Sequence, residues 1–194
     1  DVGVARGTAW LYRSFKDAQI VLVDPQPNCE EMVRERYEGM EFDFHATALG
    51  AEAGTATLNI PIKKQGLGIA MASLLDRTDD LAKKFPESET HEVPVKRLDD
   101  IADAYKGRIG LKVDTEGFEH QVLLGAPETL KRCDFVILEL SLEARFDGVA
   151  APSAAIALLA EAGLELRDIL SMASDASEFA KPRHIDALFT RWAA

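Results

Sequence analysis

A parallel sheet with crossover helices, in one α/β domain spanning residues 1–194, is the fold class this sequence predicts. Strand-like apolar runs alternate with helical patterns along the chain, the signature of that architecture. The run Ile109-Gly-Leu-Lys-Val113 leads straight into three carboxylates, Asp114, Glu116 and Glu119, with Gly117 among them. A buried strand ending in acids points to the carboxyl edge of a sheet, where open α/β folds bind their ligands. A length of 194 residues suits one domain with a substantial single core. No internal repeat, low-complexity tract or linker marks a second.

Taken in order, Asp1-Val-Gly-Val-Ala-Arg-Gly7 reads as a strand end and a glycine turn, so the chain is expected to start inside its first β-unit and to lack upstream residues. Ala9 to Phe15 predicts a helix and Gln19 to Val23 a strand. Asn28 with Glu31 three residues on makes a capping-box pattern, and Cys29, Met32, Val33 and Tyr37 recur at helical spacing until Gly39. Phe42 to Ala48 alternates like a strand. Thr55 to Ile60 has strand composition, Pro61 to Gly68 reads as a loop, and Ile69 to Leu75 fits strand or helix. Val93 to Leu98 is extended, and Asp99 is placed to cap a helix through Tyr105. After the 109–113 strand, a short helix around Glu119 to Leu124 is closed by Gly125, and Pro127 suits a first helical position. Phe135 to Leu140 is a second buried strand carrying an acid at its end, Glu139. Ser153 is expected to cap a helix running to about Ala162 with Gly163 as its stop, and Leu164 to Leu170 and Ile185 to Trp192 read as the final strands.

Composition excludes several functions. With 47% hydrophobic and 28% charged residues the chain reads as globular. A net charge of -11 repels a phosphate backbone and an anionic membrane surface, so no nucleic-acid partner is expected. Cys29 and Cys133 are the only cysteines and lie far apart, which suggests neither a disulfide framework nor a zinc site. His45, His91, His120 and His184 are scattered, and a structural or surface role suits each. No apolar run reaches the length of a membrane span and no signal peptide is evident, which makes cytoplasmic the default location. Oligomeric state leaves no trace in the sequence.

Two readings compete for Asp114, Glu116 and Glu119. They form either the solvated first turn of a helix, where carboxylates complement the helix N-terminus, or a ligand site at the sheet edge. The glycine turn Asp1-x-Gly3-x-x-x-Gly7 departs from the dinucleotide fingerprint Gly-x-Gly-x-x-Gly; its wider spacing suits a ligand that approaches the backbone without a diphosphate. A tight strand-to-helix turn explains it about as well. The second strand, however, ends Val21-Leu-Val-Asp24-Pro25, and an acid roughly twenty residues after a glycine loop is the arrangement that hydrogen-bonds ribose hydroxyls.

This order resembles the class I S-adenosylmethionine-dependent methyltransferases, and more closely the FkbM family. The residues that carry the resemblance are Asp1-Val-Gly-Val-Ala-Arg-Gly7, Val23-Asp-Pro-Gln-Pro27, Val95-Lys-Arg-Leu-Asp-Asp100, Leu111-Lys-Val-Asp-Thr-Glu-Gly-Phe-Glu119, Leu123-Leu-Gly-Ala126 and Ile137-Leu-Glu139. It implies a Rossmann-like, mostly parallel seven-stranded sheet with the last strand antiparallel, helices on both faces, and S-adenosylmethionine across the carboxyl edge. Gly3 and Gly7 would then admit the cofactor, with Asp1 near its amino-acid end, Asp24 on the ribose, Ala48 and Leu49 near the adenine, and Asp114 facing the methionine portion or the reacting centre. Family members usually carry Asn where this chain has Ala5, and Glu more often than Asp24.

Methyl transfer from a sulfonium requires donor and acceptor in line. For a hydroxyl acceptor a general base helps, and Glu116 is the first candidate, with Asp114 and Glu139 behind it. Burial and mutual repulsion among these acids would raise one pKa toward neutrality. Glu116 also fits a purely structural role at a helix start. Carboxylates suit a hard cation, but no ligand spacing supports one, and no metal is predicted. The resemblance favours O-methylation of a glycan or small metabolite. Two other classes stay open: an S-adenosylmethionine-binding regulatory or interaction module without catalysis, and a nicotinamide dinucleotide-binding protein, which the glycine spacing disfavours.

Overall fold

The structure is a computed structural model and describes residues 1–173 and 182–192. After the turn at Gly3 and Gly7 the elements run α1 (Ala9–Ser14), β1 (Val21–Val23), α2 (Cys29–Arg36), β2 (Asp43–His45), β3 (Ala48–Leu49), β4 (Gly54–Lys63) and β5 (Gly66–Leu67). A 3₁₀ turn at Ile69–Met71 precedes α3 (Asp79–Lys84), β6 (Ser88–Lys96), α4 (Leu98–Ala102) and β7 (Ile109–Val113). Then come α5 (Glu119–Leu124), α6 (Pro127–Arg132), β8 (Cys133–Ser141), α7 (Pro152–Glu161), β9 (Leu164–Ala173) and β10 (His184–Arg191). Among the described residues no helix is long and apolar enough to cross a membrane.

The strand ladders correct the expectation of one seven-stranded, mostly parallel Rossmann-like sheet. They form a two-stranded sheet, β1-β2, and two four-stranded sheets ordered β7-β8-β10-β9 and β3-β6-β4-β5. Pairing is mixed: β1–β2, β7–β8 and β3–β6 are parallel, whereas β10 is antiparallel to both β8 and β9, and β4 to both β5 and β6. The physical reason lies at the start of the chain. Val2 contributes only single bridges, to Val23 and to Val113, rather than a ladder. The Asp1–Gly3 segment instead spans β1 and β7 with isolated main-chain bonds, the Val23 amide donating to the Asp1 carbonyl at 2.9 Å on one side.

Several local expectations are also corrected. Asn28 sits in the left-handed region at φ 62 and makes no side-chain cap bond, so the capping box does not form. The acids Glu30 and Glu31 and the bases Arg34 and Arg36 still complement the α2 dipole from its two ends. Asp99 does not cap its own helix, which begins at Leu98; its carboxylate accepts from the Thr129 amide at 2.8 Å and the Glu128 amide at 3.3 Å, capping α6 from outside. α7 starts at Pro152 with Ala151 as its N-cap, not at Ser153. β4 continues through Pro61 to Lys63, where a loop was expected. Pro127 does open α6, and Gly163, at φ +76, follows α7.

Among the described residues apolar burial falls into three clusters rather than one core. The largest joins β7, β8 and β10 to α5 and α7 through residues such as Val113, Val122, Leu138, Leu159 and Phe189. The second packs α1 and α2 on β1 through Leu11, Val33 and Leu22, and the third lies under β4 and β6 at Leu58, Ile60 and Val93. Each fully buried side chain of this kind stabilises by about 1.5–3 kcal/mol, so the strand ends that carry the acids are held rigidly. Val2 ties them together: its amide donates to the Lys112 carbonyl at 2.9 Å, its carbonyl accepts from the Asp114 amide at 3.0 Å, and the Gly3 amide donates to the Val23 carbonyl at 3.0 Å. The glycine turn, Asp24 and Asp114 therefore share one edge.

Candidate functional site

A cavity of about 410 Å³ opens at that edge, within the range of small-molecule sites. Gly3, Gly7, Asp24, Ala48, Leu49, Asp114 and Glu116 all line it. The remaining two sequence candidates do not: neither Asp1 nor Glu139 is part of its wall. Leu58, Ile69, Leu74 and Phe118 add an apolar surface that the motifs did not foretell.

The glycine turn is shaped by the protein itself. Gly3 has φ +75, and a Cβ there would lie 1.7 Å from the Asp114 carbonyl oxygen; at Gly7, with φ +84, it would lie 2.4 Å from the Tyr37 ring. Both glycines are thus demanded by close approach of β7 and α2, whether or not a ligand rests on the turn. Asp24 braces the same turn. Its buried carboxylate accepts from the Ala5 amide at 2.8 Å and the Gln26 amide at 2.8 Å. Burial raises its pKa, and those amide donors pull the other way. Beside it the Gln26 side chain is 7% exposed, yet its Oε1 has no partner. An unpartnered buried acceptor in a cavity wall is a place for a ligand donor.

Asp1 turns away from the cavity. Its Oδ2 accepts from the Tyr12 hydroxyl at 2.6 Å, and its Oδ1 lies 3.7 Å from the Lys112 ammonium. Lys112, buried on β7, donates to Asp114 Oδ2 at 2.9 Å. One buried cation therefore anchors both acids, and the Asp114 side chain is left 33% exposed at the cavity.

The acid-rich turn after β7 divides into two functions. Glu119, the first residue of α5, folds back so that its carboxylate accepts from the Thr115 amide at 2.8 Å and the Gly117 amide at 3.1 Å. Burial raises its pKa against those donors. This self-capping holds Glu116 ahead of the helix at φ 51, a left-handed conformation uncommon for a residue with a Cβ. Ser73 Oγ donates to the Glu116 carbonyl at 2.8 Å and fixes it from the other side. Glu116 is consequently a turn residue at the cavity, not the first residue of a helix.

Behind it the three acids that the sequence grouped, Asp114, Glu116 and Glu139, do meet, and two bases join them. The nearest carboxylate oxygens of Asp114, Glu116 and Glu139 all fall within 4.8 Å of one another. Arg145, from the loop after β8, reaches Glu116 Oε2 at 3.2 Å and Glu139 Oε1 at 2.9 Å, while His184 Nε2 stands 3.5 Å from Glu139 Oε2. Burial pushes Glu116 up to about 7, opposed by Arg145 and assisted by Asp114. Glu139 is pushed up to about 9, first by burial and then by Asp114 and Glu116. His184 is lowered, by burial and by the Arg145 charge. Burial and the crowding of acids thus favour protons on this pair, and its two carboxyls titrate together. Sequence reasoning missed Gln26, Lys112, Arg145 and Ser73; the first two lie inside the motifs, whereas nothing in the sequence brings Arg145 or Ser73 to Glu116.

A site at the carboxyl ends of adjacent strands, with a glycine turn and perturbed acids, is a place for small-molecule chemistry. The Methyltransferase FkbM domain model matches residues 1–175, most of the chain, which belongs to the FkbM methyltransferase family. Searches of curated proteins and of solved structures returned no match.

Proposed function

We propose that the protein is an S-adenosylmethionine-dependent O-methyltransferase acting on a hydroxyl of a glycan or small metabolite. The observation that carries this reading is the juxtaposition, in one cavity wall, of the Gly3–Gly7 turn, the Asp24–Gln26 acceptors and the proton-accepting Glu116. Family membership supplies the methyl-transfer chemistry. The residues present suit the donor. Gln26 Oε1 is an unpartnered buried acceptor next to Asp24, as a ribose hydroxyl requires; Ala48 and Leu49 give an apolar surface for a flat ring; and the partly exposed Asp114 carboxylate suits an ammonium group.

When bound, S-adenosylmethionine supplies an electrophilic methyl on a sulfonium, whose electron pair returns to sulfur as the methyl leaves. The chain's own task is to hold acceptor and donor in line and to remove a proton. Glu116 takes the hydroxyl proton on a carboxylate oxygen while the acceptor oxygen bonds to carbon. A carboxyl that titrates near neutrality is well matched to that role. The apolar wall at Leu58, Ile69 and Leu74 limits the water that competes as a base.

Calorimetry with S-adenosylhomocysteine tests the reading directly. At one hundred times its Kd, this product should stabilise the fold by about 2.7 kcal/mol, raising Tm by roughly 5–10 °C, while NAD and NADP leave Tm unchanged. Melting shifts with NAD and none with S-adenosylhomocysteine would overturn it.

A further inference from the structure

Arg145 occupies an unusual position among the charges of this molecule. Its side chain is 13% exposed, and the guanidinium contacts two carboxylates from different elements, Glu116 beyond β7 and Glu139 on β8. The loop that carries it is itself fastened down. The Arg145 carbonyl accepts from the Thr78 amide at 3.1 Å, the Asp147 amide donates to the Asp76 carbonyl at 2.8 Å, and Phe146, 2% exposed, lies against Gly117. The guanidinium is therefore delivered to the acids on a rigid strap, and little of its binding is lost to side-chain ordering.

The groups facing the two acids come from every neighbouring element. Around Glu116 stand Asp114, Glu119, Arg77 and Arg145; around Glu139 stand Asp114, Glu116 and Glu119, Arg145, and His184 from β10, which in turn faces Asp186 and Arg183. Arg145 is the guanidinium that bridges Glu116 and Glu139. Arg77 is drawn elsewhere, donating to the Met71 carbonyl at 2.6 Å. Removing the guanidinium would leave buried carboxylates pressed together, which forces protons onto them.

We propose that Arg145 is a positioning residue of the reaction: by holding one oxygen each of Glu116 and Glu139, it governs how that pair shares its proton and so how readily Glu116 serves as a carboxylate at the cavity. This rests on the assignment of Glu116 as the proton acceptor in methyl transfer. Glu139, off the cavity wall, is then the reservoir that fixes how basic Glu116 is. Arg145 sets the pH above which the site can work.

The test requires neither acceptor nor donor. In protein labelled with carboxyl-¹³C glutamate, with resonances assigned through Glu116→Gln and Glu139→Gln, the Glu116 signal is followed against pH. Arg145→Met should raise its midpoint by about one pH unit or more, and Arg145→Lys, which keeps the charge but not the two-pronged geometry, by less. Glu139→Gln, which frees Arg145 for Glu116 alone, should lower it. A Glu116 midpoint that moves in neither Arg145→Lys nor Glu139→Gln overturns the inference, even if Arg145→Met fails to fold. S-adenosylhomocysteine calorimetry on the same samples separates the two ideas. Absent binding in the wild-type protein defeats the methyl-donor reading, whereas unmoved midpoints with intact binding defeat the role of Arg145.

Discussion

Asp24 and Glu116 are both acids just beyond the ends of buried strands, and both line the same cavity, yet they are treated oppositely by the chain. Asp24 receives two main-chain amides at 2.8 Å and serves as a brace; Glu119 is spent likewise on the amides of Thr115 and Gly117. Among the described residues no amide donates to the Glu116 carboxylate. Its buried Oε2 has only the Arg145 guanidinium, shared with Glu139, and no hydrogen bond of good geometry. The difference teaches where reactivity resides. An acid whose lone pairs are filled by fixed backbone donors holds a turn, whereas one crowded by other acids and served by a shared cation is poised to exchange a proton.

The largest effect is expected where the two regions meet. Gly3→Ala would drive a Cβ to 1.7 Å from the Asp114 carbonyl oxygen, in a backbone conformation that side chains disfavour. A loss of about 3–5 kcal/mol in urea unfolding is expected, separating the brace from the acid cluster. A fall below 1 kcal/mol would mean that the two strand ends do not depend on each other.

Turnover should single out the other acid. Glu116→Gln keeps the side-chain shape but cannot take a proton, so methyl transfer to an identified hydroxyl acceptor should drop roughly 10²–10⁴-fold with S-adenosylhomocysteine affinity nearly intact. Asp24→Ala should behave as its mirror image. Stranding the Ala5 and Gln26 amides should cost about 2–4 kcal/mol of stability, read by chemical denaturation. If Glu116→Gln matches wild-type turnover, the candidacy passes to Asp114, the other cavity-lining acid of the cluster.

Stability against pH sharpens the contrast further. Glu116 and Glu139 have folded-state pKa values of about 7 and about 9, both above the ordinary 4.5 of the unfolded chain. The folded protein then holds more protons than the unfolded one across that window, so stability is greatest below pH 4.5 for this pair and declines as pH rises toward 9. Tm should fall across neutrality, by about 2–4 °C for each kcal/mol lost, and Glu139→Gln should flatten the decline at its alkaline end. A Tm that rises between pH 6 and 9 in wild type would contradict the protonated state of the pair.

The smallest expected effect is a control far from both acids. Asp99→Ala removes the external cap of α6 and should cost about 1 kcal/mol without altering S-adenosylhomocysteine binding. A change in binding would show that the cap and the site are coupled through Gly125, whose carbonyl accepts from the Asp99 amide.

The sequence by itself determined the family, the strand at Ile109–Val113 and the glycine turn at positions 3 and 7, and it named several residues that line the cavity, because these depend on local pattern: apolar runs, turns that need positive φ, and acids at strand ends. It also placed Glu116 at the cavity. Only the tertiary structure decided how the strands group and what each acid does. Val2 makes single bridges where a ladder was expected, since pairing depends on how many residues stand beside each other across the sheet. Asp99 caps a distant helix, Asp1 turns to Tyr12, and Arg145 arrives from another loop to share its charge between Glu116 and Glu139. A carboxylate's role is set by the donors and charges within a few ångströms of it, and those neighbours are gathered by packing, not by order along the chain.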